Sequence, residues 1–154
     1  MKKIAIFSGL IILIDQIIKL LVTNNITYLK SITIIPDFFY LTHVHNEGAA
    51  WSMFSGNTIF LIFIAVMVLF FIYYFLLRSK KFDTKDTVIY SLLIGGIIGN
   101  LIDRIVFKYV IDYLDFIFGS YSFPVFNFAD ICIVMSVTIL LFYSFKEELC
   151  KKLK

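Results

Sequence analysis

Apolar positions along the chain collect into four long runs, about Ile4–Val22, Thr58–Leu77, Val88–Ile102 continuing toward Val106, and Ala129–Phe145. A helix needs about 20 residues to cross the ~30 Å hydrocarbon core of a bilayer, and each run reaches or nearly reaches that length. The pattern predicts four membrane-spanning helices over about 4–22, 58–77, 88–106 and 129–145. The third run holds Gly95, Gly96 and Gly99. The Gly95–Gly99 spacing predicts a face on which another helix packs closely.

Two longer segments separate the runs, roughly 23–57 and 107–128. In the first, Ser31–Ile35 and Phe38–His45 are rich in β-branched and aromatic residues, with Pro36-Asp37 between them. This predicts a small β-sheet lying at the membrane surface. The second is read as an outer loop. There is no internal repeat, and residues 1–154 read as one integral membrane domain.

Composition agrees with a membrane solvent. Apolar residues make up 60% of the 154, against roughly 45–50% in a soluble domain. Charged residues are 16%, against about 25%. The first run follows Lys2 and Lys3, as a signal peptide's would. No small-residue cleavage site follows it, and Asp15 and Lys19 interrupt it, so it reads as a permanent helix.

Charge then sets an orientation. Lys2, Lys3, Arg78, Lys80, Lys81, Lys85, Lys146, Lys151, Lys152 and Lys154 are 10 of the 14 basic residues, and a four-helix topology puts them all on one side. By the positive-inside rule that side is the cytoplasm, with both termini on it. The net charge is +3, with no basic run interleaved with aromatics, so a nucleic-acid partner is not expected. Cys132 and Cys150 form no CxxC pair and read as free structural thiols.

Polar residues at membrane depth are costly, and they cluster here. Asp15 and Lys19 are spaced i,i+4 and can pair on one helix face. They read as a structural ion pair that orients the first helix. Asp103 and Arg104 are adjacent, so each needs a partner elsewhere, and a scaffold role is expected for both. Asp112 lies just beyond the third helix and Asp130 at the start of the fourth, so the two can meet near the outer interface. Carboxylates that meet share a proton: one serves as general base on water, the other donates to a carbonyl. Spacing leaves two alternatives open. Asp130 can be a helix cap with Asp112 a surface acid, and Asp115 can compete with Asp112.

Five segments together resemble the lipoprotein signal peptidase (signal peptidase II) family. Asp15-Gln16-Ile17-Ile18-Lys19 is similar to its first-helix motif. His45-Asn46-Glu47-Gly48-Ala49-Ala50-Trp51-Ser52 is similar to its Asn-x-Gly-Ala-Ala-aromatic-Ser block. Gly99-Asn100-Leu101-Ile102-Asp103-Arg104 is similar to its third-helix block. Val110-Ile111-Asp112-Tyr113 and Phe126-Asn127-Phe128-Ala129-Asp130 are similar to the motifs that carry its two catalytic aspartates. The segments keep the family's order over nearly the whole chain. His45 and Trp51 stand where Arg and Phe are commoner, and Ile111 and Tyr113 are conservative variants.

The resemblance implies an α-helical polytopic membrane protein with a β-cradle and a flap over the site. It implies a metal-free, cofactor-free aspartyl endopeptidase that cuts bacterial prolipoproteins before a diacylglyceryl-modified cysteine. Asp112 and Asp130 would be catalytic. Asn46, Gly48, Asn100, Asp103, Arg104 and Asn127 would bind substrate or support the site. Lipidated prolipoproteins and membrane lipid would be its partners, the monomer its working form, and globomycin-type cyclic peptides its inhibitors.

Two rival readings fit parts of the same sequence. His43, His45 and Glu47 alternate on one expected strand face and could bind zinc, as in a metal-dependent membrane hydrolase. A small transporter would place its acids near the midplane, often in repeated halves, whereas these acids lie at an outer edge.

Overall fold

The computed structural model describes residues 1–49, 53–78 and 82–152. The first helix, α1 (Lys2–Asn25), leads into a hairpin of β1 (Ser31–Ile35) and β2 (Phe39–Asn46). Helix α2 (Thr58–Phe71) continues as a π-helical segment, Ile72–Leu77. Helix α3 (Thr84–Phe107) is followed by β3 (Val110–Phe118), the short β4 (Tyr121–Ser122) and α4 (Phe128–Lys152). Four of these helical stretches are long and apolar enough to cross a membrane. Both prolines, Pro36 and Pro124, fall outside the helices, where a missing N–H breaks no helical ladder.

Helix α3 is longer at its start than the apolar run alone predicts. Asp83 caps it by accepting the Asp86 N–H at 2.8 Å, and the Thr87 hydroxyl donates to the Asp83 carbonyl at 2.8 Å. Its other end closes at Lys108, whose left-handed backbone (φ 73°) turns the chain into β3.

Helix α3 is central, with α1 and α4 packed along it and α2 touching it less. The glycines explain how closely. A Cβ on Gly95 would come within 2.7 Å of Ile11, and one on Gly96 within 2.5 Å of the Ala129 carbonyl. One on Gly99 would meet Asp15 Oδ2 at 2.6 Å. The expected packing face is present, and Gly96 adds a second one toward α4. The outer faces of α1, α2 and α4 carry exposed Leu, Ile and Phe throughout, as lipid-facing surfaces do.

The expected sheet exists but is larger than one hairpin. Four antiparallel strands run in the order β1-β2-β3-β4. The expectation of a loop over 107–128 is therefore corrected: its first half is strand. In that segment Asp112 and Asp115, three apart, break the period of two that marks a strand in sequence. Pairing supplies what local pattern lacks. Val44 lies opposite Asp112 and Asn46 opposite Val110, while Leu114 exchanges hydrogen bonds with Phe126 at 2.8 and 3.1 Å. The second contact pins the entry of α4 against β3. The sheet rests on α1 through Val22, Ile26, Ile111 and Tyr113, with Leu41, Tyr109 and Leu114 against them.

Candidate active site

The polar residues singled out above converge where α1 and α3 end and α4 begins. Asp112 reaches the site from β3 and is 2% exposed. Its Oδ1 accepts from Asn127 Nδ2 at 2.6 Å and its Oδ2 from Asn46 Nδ2 at 2.8 Å. Burial, and then the neighbouring Asp130 carboxylate, push the Asp112 carboxyl up to about 7. The amides of Asn46 and Asn127 act against that rise.

Asp130 sits in the first turn of α4. Its Oδ2 accepts the Asn127 backbone N–H at 3.1 Å, and the Asp130 N–H donates back to Asn127 Oδ1 at 3.0 Å. This is the reciprocal geometry of a capping box, with Asn127 as the cap and Asp130 three residues on. The reading of Asp130 as the cap itself is corrected: that place belongs to Asn127. The other oxygen, Oδ1, accepts from Asn100 Nδ2 at 2.7 Å.

Asn127 thus touches both acids. Its second amide proton goes to Asn100 Oδ1 at 3.1 Å. With both amide hydrogens donated and its oxygen accepting, the side chain of this fully buried asparagine is satisfied and its orientation is fixed.

Lys19 closes the network from α1. It pairs with Asp15 at 2.9 Å and Asp103 at 2.8 Å, and donates to Asn100 Oδ1 at 2.9 Å. The i,i+4 pair expected from sequence is present, and Asp103 finds its partner on another helix. Gln16 bridges the group, donating to Asp103 Oδ1 at 2.9 Å and to the Gly99 carbonyl at 3.2 Å. Sequence reasoning gave Gln16 no role, although an amide inside an apolar run is the signal that would have found it.

The two carboxylates beside Lys19 also reach backbone. Asp15 Oδ1 accepts the Ala129 N–H at 3.1 Å, and Asp103 Oδ2 accepts the Ile111 N–H at 3.1 Å. Tyr113 makes a contact that its local sequence does not announce. Its hydroxyl accepts the Phe128 N–H at 3.1 Å, and burial holds its phenol well above the ordinary tyrosine range.

On the side of the first extramembrane segment, Arg104 Nη2 donates to the Gly48 carbonyl at 2.8 Å, and the Gly48 N–H donates to Asn46 Oδ1 at 2.9 Å. Among the described residues, Arg104 Nε is buried without a hydrogen-bond partner. Ala50, Trp51 and Ser52 of the same block lie outside the described residues, as do Lys80 and Lys81 of the basic segment.

Asp115 is not in the site. Three residues beyond Asp112 on one strand, it faces the other side of the sheet. There it accepts from the Thr42 hydroxyl at 2.8 Å. His43 and His45 are also turned away from the aspartates. His43 Nδ1 bonds the Ile26 carbonyl at 2.8 Å, and the two Nε2 atoms lie 3.2 Å apart. His45 is stacked between Tyr28 and Tyr109, with ring centroids at 4.1 and 3.6 Å. Burial, and then the adjacent His43, hold its imidazole below the ordinary value.

Comparison with known proteins gives one family. The sequence profile described as signal peptidase (SPase) II matches residues 7–146. The lipoprotein signal peptidase of Halothermothrix orenii is 44% identical over 141 residues, covering 90% of this chain and 92% of its own. That of Clostridium acetobutylicum is 37% identical over 139 residues, covering 89% and 90%. That of Listeria monocytogenes is 36% identical over 138 residues, covering 90% of each. A solved structure described as a bacterial membrane enzyme, obtained by the in meso method at 2.3 Å resolution, superposes with a TM-score of 0.89 at 29% identity. It covers 100% of this chain and 94% of that one. A second of the same description, at 1.9 Å, gives 0.81 at 29% identity, covering 93% and 92%.

Proposed function

The chain belongs to the signal peptidase II family, whose members remove signal peptides from prolipoproteins, and we propose that it does so as an aspartyl endopeptidase with Asp112 and Asp130 as its dyad. The observation that carries this reading is Asn127, whose side-chain amide donates to the Asp112 carboxyl and whose backbone N–H donates to the Asp130 carboxyl, so that one residue joins the two acids. The histidines of a metal reading bond each other and a backbone carbonyl.

The chemistry follows from the two environments. Asp112, buried and raised to about 7, is assigned the acid's part in the pair. Asp130 sits at the N-terminal end of α4, where the helix dipole favours negative charge. Asp130 takes a proton from water as its oxygen attacks the scissile carbonyl carbon. Asp112 gives its proton to the carbonyl oxygen, producing a neutral gem-diol. When the C–N bond breaks, the amine leaves with the proton held on Asp130, and Asp112 recovers one from the diol. The titrations belong to the pair. No metal or cofactor takes part.

Asn46, Gly48 and Arg104 form the wall beside Asp112 that meets the extended substrate. Asp103 and Asn100 support the acids from beneath. The substrate is a prolipoprotein carrying diacylglycerol on the cysteine after the cut, with its acyl chains left in the lipid. The site lies at the outer face of the bacterial cytoplasmic membrane, in a single integral domain with both termini cytoplasmic. That orientation rests on the ten basic residues at the opposite side of the topology. One chain supplies every catalytic group, so a monomer suffices, and globomycin-type cyclic peptides inhibit it.

The test is cleavage in lipid by the purified protein of a prolipoprotein with and without diacylglycerol. Cleavage of the lipidated form alone, before the modified cysteine, is expected. Equal cleavage of both forms would contradict the substrate assignment.

A further inference from the structure

The ion pair of α1 does more than orient its helix. Lys19 is 1% exposed and has three N–H donors, and three acceptors surround it: Asp15, Asp103 and Asn100 Oδ1. An ammonium only donates, so the atom of Asn100 that faces it must be the oxygen. That fixes the other end of the same amide. Asn100 Nδ2 is thereby the atom aimed at Asp130 Oδ1, at 2.7 Å. A free asparagine could present either end to a carboxyl group, but this one cannot.

The two carboxylates on Lys19 have a matching use. Asp103 Oδ2 holds the backbone N–H of Ile111, the residue before Asp112. Asp15 Oδ1 holds the backbone N–H of Ala129, the residue before Asp130. The cation therefore sits at the junction of three arms. One reaches the strand that carries the first acid, one the helix turn that carries the second, and one the amide that bonds the second acid directly.

We propose that Lys19 is a positioning residue for the dyad, locking the Asn100 amide so that it donates to Asp130 and, through Asp103 and Asp15, setting the two acids at their working separation. This rests on the assignment of Asp112 and Asp130 as the dyad. The charged groups that bear on it are Lys19, Asp15 and Asp103 in the junction, Arg104 on α3, and the two acids themselves.

Replacing Lys19 with Met removes the lock and leaves Asp15 and Asp103 as uncompensated buried charges. Lys19→Met combined with Asp15→Asn returns the junction to its parental net charge, with Asp103 as its one carboxylate, and keeps an oxygen for the Ala129 N–H. Asn100→Ala removes the lever while leaving the Lys19–Asp15–Asp103 group intact, so it keeps the idea testable should the Lys19 variants fold poorly. Activity per folded enzyme is followed from pH 4 to 9 on a lipidated prolipoprotein, beside Asp112→Asn.

A hydrogen bond to the ionised form favours that form, so losing it moves the acid limb of the profile to higher pH, by about one unit. The double variant is expected to regain thermal stability but not rate. Its kcat stays about 10–100-fold low with KM little changed, and its acid limb is displaced as in Asn100→Ala. A double variant with the parental kcat and profile would show that Lys19 only neutralises its neighbours. An undisplaced profile in Asn100→Ala would likewise overturn the inference while leaving the dyad standing. Activity in Asp112→Asn would overturn the dyad, and the inference with it.

Discussion

Asn127 places its amide nitrogen 2.6 Å from Asp112 Oδ1 while its amide oxygen, 3.0 Å from the Asp130 nitrogen, caps the helix that carries the second acid. One side chain thus joins a strand and a helix that arrive from opposite sides of the site. Replacing it with Ala removes a helix cap, worth about 0.5–2 kcal/mol. It also leaves Asp112 and Asn100 each short of a partner. We expect a drop in thermal stability of that order and a fall in kcat of about 100-fold or more. Thermal unfolding and steady-state cleavage, measured on one preparation, check both.

The three close-packed glycines give a prediction about the scaffold. A Cβ on Gly96 would lie 2.5 Å from the Ala129 carbonyl, which is backbone and cannot swing aside. Gly96→Ala should push the first turn of α4 away from α3, destabilising the protein by about 1–3 kcal/mol and lowering activity through Asp130. Gly9→Ala, with nothing among the described residues within 4 Å of the added carbon, should be neutral or slightly stabilising. Parallel melting curves decide, and equal melting temperatures for the two variants would contradict the packing argument.

The pH dependence has a definite sign. Asp112 is raised to about 7, by burial first and by Asp130 second. In the proposed mechanism it carries, below that pH, the proton that the carbonyl oxygen must receive; above it the proton is lost and both acids are ionised. Activity should therefore fall as pH rises through about 7. A profile that keeps rising to pH 9 would remove Asp112 from the acid role.

Asp115 offers the contrast. It lies on the same strand but the opposite face, bonded to Thr42. Asp115→Asn should keep kcat within about twofold of the parent, since the amide can still accept from that hydroxyl. A loss as deep as that of an Asp112 variant would reopen the choice between the two acids.

Much of this was legible in the sequence, for physical reasons that differ by residue. The four apolar runs announce their helices because bilayer thickness fixes their length. Asp15 and Lys19 announce a pair because a helix brings i and i+4 together. Gly95 and Gly99 announce a close approach. Strand β3 was hidden because its pairing with β2 and Phe126 is long-range, and its acids at 112 and 115 break the alternation that would betray it. That Asn127 is the cap, rather than Asp130, depends on where α4 starts, and the pairing of Leu114 with Phe126 just before that start joins residues too far apart for a local pattern to show. Gln16 and Tyr113 act through contacts with helices and strands far off in sequence, which no local pattern encodes.

The central claim is that Asp112 and Asp130 together perform the hydrolysis. The most direct measurement is cleavage of a diacylglyceryl-modified prolipoprotein by the parent, Asp112→Asn and Asp130→Asn, each in lipid with a chelator present. Full cleavage is expected from the parent and none above background from either variant, with both variants folded. Parental activity in either variant, or loss of the parent's activity on chelation, would contradict it.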